Sequence, residues 1–331
     1  MNGSWRRRGM VGGSVLLVAG ISVTAVVIVH GRHPTAHRAD EPSTPPLSTA
    51  TPPPTTPRPS SAPPSSTSQH ATTHPALTPR STIDSSPINS KLRALTTQVP
   101  PGGVSVAELN TATGARYSYG ATGGMLTGSV VKVYILETLL LQHQDRGTQL
   151  SDQEAATARR MIEHSDNEAA ETLYYAIGAR AGLVAAAPRL GLTHTIPGPN
   201  PDFKGLTQTS AADCVTLLQN LLRPAPLHQY ARSVVLGFMR NVESDQRWGV
   251  GSVADPGTTF ANKNGWLSVE EDNPDGLGDN DLWLVNSIGI VTVHQQQVLI
   301  AVLTQHGQSF EDGIELVEEL AEAITPAVVS K

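Results

Sequence analysis

Cysteine is almost absent from this chain, and its scarcity excludes one way of stabilising a fold. The 331 residues include a single cysteine, Cys214, so no disulfide can form within the chain. Cys214 lies in the apolar pattern AADCVTLLQNLL, and no histidine arrangement matches it as a nucleophile. We therefore predict that Cys214 packs in the core.

The chain also lacks the patterns of nucleic-acid and metal binding. Its 23 basic and 29 acidic residues give a formal net charge of −6, and no basic stripe with interleaved aromatic residues is present. Nucleic acid is therefore not expected as a partner. The 11 histidines have no metal-ligand spacing, and the acidic stretch 270–281 lacks the closing glutamate of an EF-hand, because Leu282 stands there. We expect no metal, no cofactor and a monomer.

The N-terminal residues predict attachment to a membrane. Residues 10–29 form an uncharged apolar run that is long enough to cross a bilayer as a helix. Because Arg6, Arg7 and Arg8 precede this run, residues 1–9 are predicted as a cytoplasmic tail and residues 10–29 as a single-pass signal-anchor. A cleaved signal peptide is the alternative. Either way, the rest of the chain is expected outside the cytoplasm.

Two segments of different composition follow the apolar run. Residues 30–87 are dominated by Pro, Ser and Thr, and such a segment buries too little apolar surface to fold. We predict a disordered tether, long enough to cross a cell-wall space. Residues 88–331 have the composition of a folded domain with a sizeable core.

Periodicity predicts an α+β architecture for the folded part. A short helix, SPINSKLRALTTQ, and a hairpin, GVSVAELNTATGARYSYG, come first. The next patterns are helical: SVVKVYILETLLLQHQ, SDQEAATARRMIEHS, DNEAAETLYYAIG, SAADCVTLLQNLL and LHQYARSVVLGFMRNV. Strand patterns return in TTFANKNGWLSV, DLWLVNSIGIVTVH and QVLIAVLTQ, and FEDGIELVEELAEAI is a final helix. Strands at both ends predict one antiparallel sheet, flanked by helices, with an inserted all-helical lobe.

A lysine interrupts the apolar helix at a spacing that suggests chemistry. Ser129 and Lys132 are three residues apart, so their side chains share one helix face. A buried lysine must find a partner or lose its proton, and a neutral amine beside a hydroxyl can take its proton. The alternative is an N-cap serine followed by an unrelated lysine.

Two further triplets carry polar residues that could belong to the same site. Ser165-Asp166-Asn167 is one, although Ser165 with Glu168 also fits a capping box. Lys263-Asn264-Gly265 is the other, although Asn-Gly is also typical of a hairpin turn. On a strand edge, Lys263 would supply a positive field, and the N–H of Trp266 would join that of Ser129 around an oxyanion.

The Ser129-x-x-Lys132 motif and the two triplets, in this order, resemble the motifs of the penicillin-recognising serine enzymes, in particular the class A β-lactamase-like branch. The stretches MIEHSDNEAA, QRWGVGS and LVNSIGIV also fit that family's pattern. The resemblance implies a β-lactamase/transpeptidase-like fold and an acyl-enzyme mechanism. Its substrates would be a β-lactam or a peptidoglycan-derived peptide.

The resemblance also implies a role for each matching residue. Ser129 would carry the acyl group, Lys132 would take the serine proton, and Ser165 would relay a proton to the leaving nitrogen. The substrate-binding positions would be Asn167, Lys263, Asn264, Gly265 and Trp266.

The chain departs from the family at two positions that affect turnover and substrate choice. Residues 189–201 contain no acid where the family carries a water-activating glutamate, and neither His194 nor Asp202 has a convincing spacing as its substitute. Asn264 stands where the family has threonine or serine. We therefore expect slow deacylation, with a non-catalytic cell-envelope binding protein on the same scaffold as the alternative.

Overall fold

The computed structural model describes residues 85–198, 205–268 and 282–329. The predicted tail, signal-anchor, nearly all of the tether and the acidic stretch lie outside these ranges, as does Asp202. Within the ranges, no helix is both long and apolar enough to cross a membrane. The first helix begins at Ser86, two residues before the predicted domain boundary, and a proline in its first turn supplies a φ angle suited to a helix start.

In these ranges the chain forms both α-helices and β-strands. The helices are α1 (Ser86–Leu95), α2 (Val131–Asp145), α3 (Asp152–Glu163), α4 (Asn167–Ala176), α5 (Ala179–Ala186), α6 (Ala211–Asn220), α7 (Gln229–Arg240) and α8 (Phe310–Ile324). The strands are β1 (Val104–Asn110), β2 (Arg116–Gly120), β3 (Met125–Leu126), β4 (Gln208–Thr209), β5 (Ala261–Ser268), β6 (Trp283–Val293) and β7 (Gln296–Gly307).

The predicted antiparallel sheet is confirmed. Its strand order is β2-β1-β7-β6-β5, so the N-terminal hairpin pairs with the C-terminal strands while the helices α2 to α7 lie between them in sequence. β5 is an edge strand, paired on one side with β6. The triplet Lys263-Asn264-Gly265 lies inside β5, so the interpretation of Asn-Gly as a hairpin turn is wrong.

Apolar side chains pack on both faces of the sheet. One buried cluster joins α2 with the other helices of the lobe and with residues such as Ala107 and Leu109 of β1. A second cluster joins Val104 and Val106 of β1 with α1 and α8. The alternation of β1 between the two clusters follows from the period of two in a strand.

Helix α2 is the buried centre of the helical lobe. All its residues except Gln142, Gln144 and Asp145 are buried, as its apolar sequence predicts. Each fully buried leucine contributes roughly 1.5–3 kcal/mol. Because this packing fixes the helix against the sheet, its first turn is a rigid platform for the side chains that it carries.

Two features of the lobe were not predicted. Helix α5 follows α4 after a break at Gly178, whose φ of 91° ends the helical path. The pattern DNEAAETLYYAIG predicts one helix that ends at this glycine, and it gives no sign of a second helix after it. The short pair β3–β4 was also missed, because two-residue strands carry no periodic signal.

Candidate functional site

Ser129 lies in a short 3-10 turn that leads directly into α2. The turn comprises Gly128–Val130, and α2 begins at Val131. Gly128 has φ of 50°, and a Cβ on it would lie 3.0 Å from the backbone N of Trp266. A Cβ on Gly265 would lie 2.6 Å from the backbone N of Ser129. Two glycines therefore allow the turn and strand β5 to touch, with the backbone N–H groups of Ser129 and Trp266 beside the contact.

Lys132 extends from the first turn of α2 into a polar cluster. Its Nζ lies 2.9 Å from Ser129 Oγ and donates to Asn167 Oδ1 at 2.7 Å. It also donates to the backbone oxygen of Ser165 at 2.5 Å and lies 3.2 Å from Ser165 Oγ. The Lys132 amine therefore contacts the serine of its own motif, Ser129, and both Ser165 and Asn167 of the second motif.

Burial favours the neutral form of Lys132. Burial lowers its pKa to about 7, while the negative charge of Asp166 opposes this shift. A neutral amine has two N–H donors and one lone pair. The donors fit the two shortest contacts, to Ser165 O and Asn167 Oδ1, and the lone pair is then left for the hydroxyl of Ser129. This arrangement suits transfer of the Ser129 proton to Lys132.

Ser165 turns towards the cluster because its backbone is left-handed. Its φ is 55°, a costly conformation for a residue with a Cβ, of order 1 kcal/mol or more. The N-cap of α4 is Asp166, whose carboxylate accepts from the N–H of Ala169, so the predicted capping box of Ser165 with Glu168 is wrong. Freed from capping, Ser165 presents both its oxygens to Lys132.

Lys263 reaches the same cluster from β5. Its Nζ donates to Ser165 Oγ at 2.9 Å and to the backbone oxygen of Asn264. Burial, and secondly the charge of Lys132, hold its pKa well below the usual value for lysine. Two ammonium groups that share one hydroxyl repel each other, so the neutral form of Lys263 is favoured. The positive field predicted for it is correspondingly reduced, while its hydrogen bond to Ser165 remains.

The predicted site residues fall into two groups. Hydrogen bonds join Ser129, Lys132, Ser165, Asn167 and Lys263 into one cluster, and the backbone of Gly265 and Trp266 adjoins it. Ser129 and Ser165 are half-buried and Asn167 is exposed, so the cluster is accessible from solvent. The Asn264 side chain is directed elsewhere: it is 1% exposed and its amide binds the backbone of Gln246 and Trp248.

His194 does not join this cluster. It lines a surface pocket of about 580 Å³ with β2 residues and Ser210. Its backbone N–H and that of Thr193 donate to the carboxylate of Asp213. No residue of the Lys132 cluster lines that pocket, and no hydrogen bond among the described residues joins the His194 side chain to the cluster.

Sequence reasoning assigned no role to several residues that hold the site, although two of them lie in the stretches LVNSIGIV and MIEHSDNEAA. Asn286 of β6 donates to the backbone oxygens of Leu126 and Thr127, and so fixes the segment that enters the Ser129 turn. His164, directly before Ser165, has its Nδ1 2.5 Å from the Glu243 carboxylate. Their residue types are ordinary at such positions, and only the long-range contacts reveal them.

The sheet, the inserted lobe and a Ser–Lys–Ser cluster define the class of penicillin-recognising serine enzymes. Residues 137–328, more than half of the chain, match the model of the Beta-lactamase enzyme family, and the chain belongs to this family. The matched range includes Ser165, Asn167 and Lys263, and it begins after Ser129 and Lys132.

Solved structures show the same fold. The TLA-3 extended-spectrum beta-lactamase has a TM-score of 0.61 at 15% identity, over 72% of this chain and 98% of its own. PBP-A has a TM-score of 0.61 at 20% identity, over 73% and 96%. A beta-lactamase from Chitinophaga pinensis has a TM-score of 0.62 at 15% identity, over 73% and 99%. Identities this low support the fold alone.

A further similarity links the chain to mycobacterial proteins. It is 27% identical over 243 residues to LppW of Mycobacterium tuberculosis, named as a candidate lipoprotein, covering 68% of this chain and 73% of the relative. LppW of Mycobacterium bovis matches with the same values.

Proposed function

We propose that this protein is a membrane-tethered, extracytoplasmic serine hydrolase that forms an acyl-enzyme on Ser129 with a β-lactam or a peptidoglycan-type peptide. The observation that carries the proposal is the 2.9 Å contact between Lys132 Nζ and Ser129 Oγ. Lys132 is 2% exposed, and its pKa is lowered to about 7 by burial, so much of it is a free amine at neutral pH.

The proposed acylation step uses the residues of the cluster in turn. Ser129 Oγ attacks the substrate carbonyl carbon while its proton moves to Lys132 Nζ. The oxyanion is stabilised by the backbone N–H groups of Ser129 and Trp266. The C–N bond then breaks, Ser165 gives its proton to the leaving nitrogen, and the proton on Lys132 replaces it. Lys263 orients Ser165 through their 2.9 Å hydrogen bond.

The acyl-enzyme is expected to be long-lived. Hydrolysis of the ester requires a base that activates water, and residues 189–201 contain no acid. His194 lines a surface pocket beside β2, and its backbone N–H donates to the carboxylate of Asp213. The protein therefore resembles a slow acyl-transfer enzyme more than an efficient lactam-degrading one.

The proposed location rests on the N-terminal sequence and on a relative. Arg6, Arg7 and Arg8 precede the apolar run 10–29, and the Pro/Ser/Thr-rich stretch that follows suits a tether. LppW, named as a candidate lipoprotein, is consistent with a protein held at the cell envelope. In this arrangement the domain faces the cell wall.

Intact-mass spectrometry tests the proposal. The protein is incubated with benzylpenicillin and with a cephalosporin, and Ser129→Ala is the control. We expect an adduct of the drug's full mass on the parent protein that persists for many minutes, and none on the variant. Loss of the drug with no adduct would point to fast hydrolysis, and would contradict the slow-deacylation part of the proposal.

The second candidate is a non-catalytic envelope-binding protein. It is favoured by the lack of an acid in residues 189–201 and by the inward-facing amide of Asn264, which leaves one predicted substrate contact unused. Absence of an adduct with any lactam or depsipeptide, in a folded protein that still binds wall fragments, would select this function.

A further inference from the structure

A segment between α7 and β5 joins the two halves of the candidate site. We call Glu243–Val250 the bridge segment. At one end, the backbone N of Glu243 donates to the backbone oxygen of Glu163 at 3.1 Å. The Glu243 carboxylate also contacts His164 Nδ1 at 2.5 Å. Glu163 and His164 are the two residues directly before Ser165, so this end is attached to the turn that carries Ser165.

The other end of the bridge segment is attached to β5 by two hydrogen bonds from Asn264 and by one from Asn262, whose Nδ2 donates to the backbone oxygen of Gln246 at 3.0 Å. The Asn264 Nδ2 donates to the backbone oxygens of Gln246 and Trp248, at 2.9 and 3.1 Å. Its Oδ1 accepts from Ser287 Oγ at 2.7 Å and from Asn262 Nδ2 at 3.4 Å. An amide has two donor hydrogens and two acceptor lone pairs, so the hydrogen-bonding capacity of Asn264 is fully used inside the protein.

The two ends of the bridge segment are attached next to two residues that bind each other in the cluster, Ser165 and Lys263. Ser165 belongs to the helical lobe and Lys263 belongs to the sheet, and their 2.9 Å hydrogen bond crosses between them. Asn264 is the neighbour of Lys263 in β5, and successive side chains of a strand face opposite sides. Lys263 therefore reaches the cluster while Asn264 reaches the bridge segment behind it.

We propose that Asn264 is a positioning residue that fixes the separation of Ser165 and Lys263 through the bridge segment, and that it does not contact substrate. A threonine or serine has one donor hydrogen and a shorter reach, so neither can satisfy both backbone oxygens. The catalytic consequence of this proposal rests on the proposed function, whereas its geometric part does not.

The main test compares two buried asparagines. Asn110 is 0% exposed and has the same four hydrogen-bonding capacities in use, with Gln296, Val328 and the backbone N of Ala112 and Thr113, far from the cluster in β1. Asn264→Ala and Asn110→Ala therefore remove equivalent groups. We expect acylation by benzylpenicillin to slow about tenfold or more in Asn264→Ala and to change less than about twofold in Asn110→Ala.

Two readouts separate positioning from substrate binding and from general loss of stability. If Asn264 positions the cluster, its removal lets Ser165 and Lys263 separate and admits water beside Lys132. The pH midpoint of acylation then rises towards the usual lysine value, and the maximal rate falls. If Asn264 bound a substrate carboxylate, the variant would need a higher penicillin concentration to reach half of its maximal rate. Its acylation by a neutral ester would be unchanged. That second pattern, with an unchanged midpoint in folded Asn264→Ala protein, overturns the proposal.

An activity-independent measurement keeps the inference separate from the proposed function. The chain has five lysines, so 13C-labelled lysine gives a simple NMR spectrum in which Lys132→Arg identifies the Lys132 signal. We expect the Lys132 titration to move upward in Asn264→Ala but not in Asn110→Ala. If the parent forms no adduct, the proposed function fails while this titration still decides the positioning role.

A milder variant covers the case in which Asn264→Ala does not fold. Ser287→Ala removes one hydrogen bond to Asn264 and the acceptor of the Val250 N–H. We expect the same upward movement of the Lys132 midpoint, by a smaller amount. An unchanged midpoint in this variant also contradicts the proposal.

Discussion

Two buried ionisable side chains on opposite faces of the sheet illustrate different uses of burial. Lys132 on the lobe side is 2% exposed, and Glu108 of β1 is 1% exposed. Burial lowers the pKa of Lys132 to about 7 and raises the pKa of Glu108 to about 9. Both groups are therefore driven towards the neutral form by the loss of water.

The partners of the two groups differ. Lys132 contacts Ser129, Ser165 and Asn167, whereas neither carboxyl oxygen of Glu108 has a hydrogen-bond partner among the described residues. Glu108 shares its strand face with Val106, in the cluster that packs against α1 and α8. A shifted pKa alone therefore does not identify a functional site; the polar partners around the shifted group distinguish Lys132 from Glu108.

The largest effect expected from this comparison is on acylation. Lys132→Met should lower the rate of adduct formation with benzylpenicillin by about a thousandfold or more, because the serine loses its base. Glu108→Gln should leave that rate within about twofold. Intact-mass kinetics measure both, and a similar loss in the two variants would contradict the distinction.

The pH dependence of acylation gives a second test. Because the neutral amine is the active form, the rate in the parent protein should rise about tenfold per pH unit below the midpoint and level off above it. The pKa of about 7 for Lys132 places that midpoint near neutrality. A rate that still rises steeply between pH 8 and 10 would mean that Lys132 has the pKa of an exposed lysine.

Glu108 should instead affect how the free energy of unfolding depends on pH. Its pKa is 4.5 in its ordinary state and about 9 in the fold, so between these values the native state keeps a proton that the unfolded chain releases. The free energy of unfolding therefore falls as pH rises through this window, by up to ~1.4 kcal/mol per pH unit from this group. Denaturant unfolding should show a weaker fall in Glu108→Gln, and an identical slope would contradict the assignment.

The smallest expected effect concerns the cover over Glu108. Tyr117 lies opposite Glu108 in the β1–β2 pair, and its hydroxyl donates to Asn89 Oδ1 of α1 at 2.6 Å. Tyr117→Phe removes this hydrogen bond and should lower the free energy of unfolding by about 1 kcal/mol. Acylation by benzylpenicillin should be unaffected, and a slower rate would show that α1 influences the site.

Much of the fold could be predicted from sequence because its periodic signals are strong. The hairpin β1–β2, the apolar helix α2 and the long strands β6 and β7 all have clear patterns and lie where predicted. Short or irregular elements were missed, since two-residue strands and a break at Gly178 carry no period.

The candidate site could be predicted in part. The spacing of Ser129 and Lys132 indicated their contact, because i and i+3 on a helix share a face. The left-handed backbone of Ser165 was not predictable, because the adjacent Asp166 caps α4 in its place. The burial of Asn264 depends on Gln246 and Trp248, which approach β5 only in the folded chain.

The sequence by itself determined the long helices and strands, and it set Ser129 and Lys132 side by side, because those features depend on neighbours within one turn or one strand. The tertiary structure alone decided the protonation preference of Lys132 and Lys263, the orientation of Ser165 and the inward direction of Asn264. These properties depend on the removal of water and on partners more than thirty residues away for Lys132 and nearly a hundred for Lys263, which no local pattern encodes.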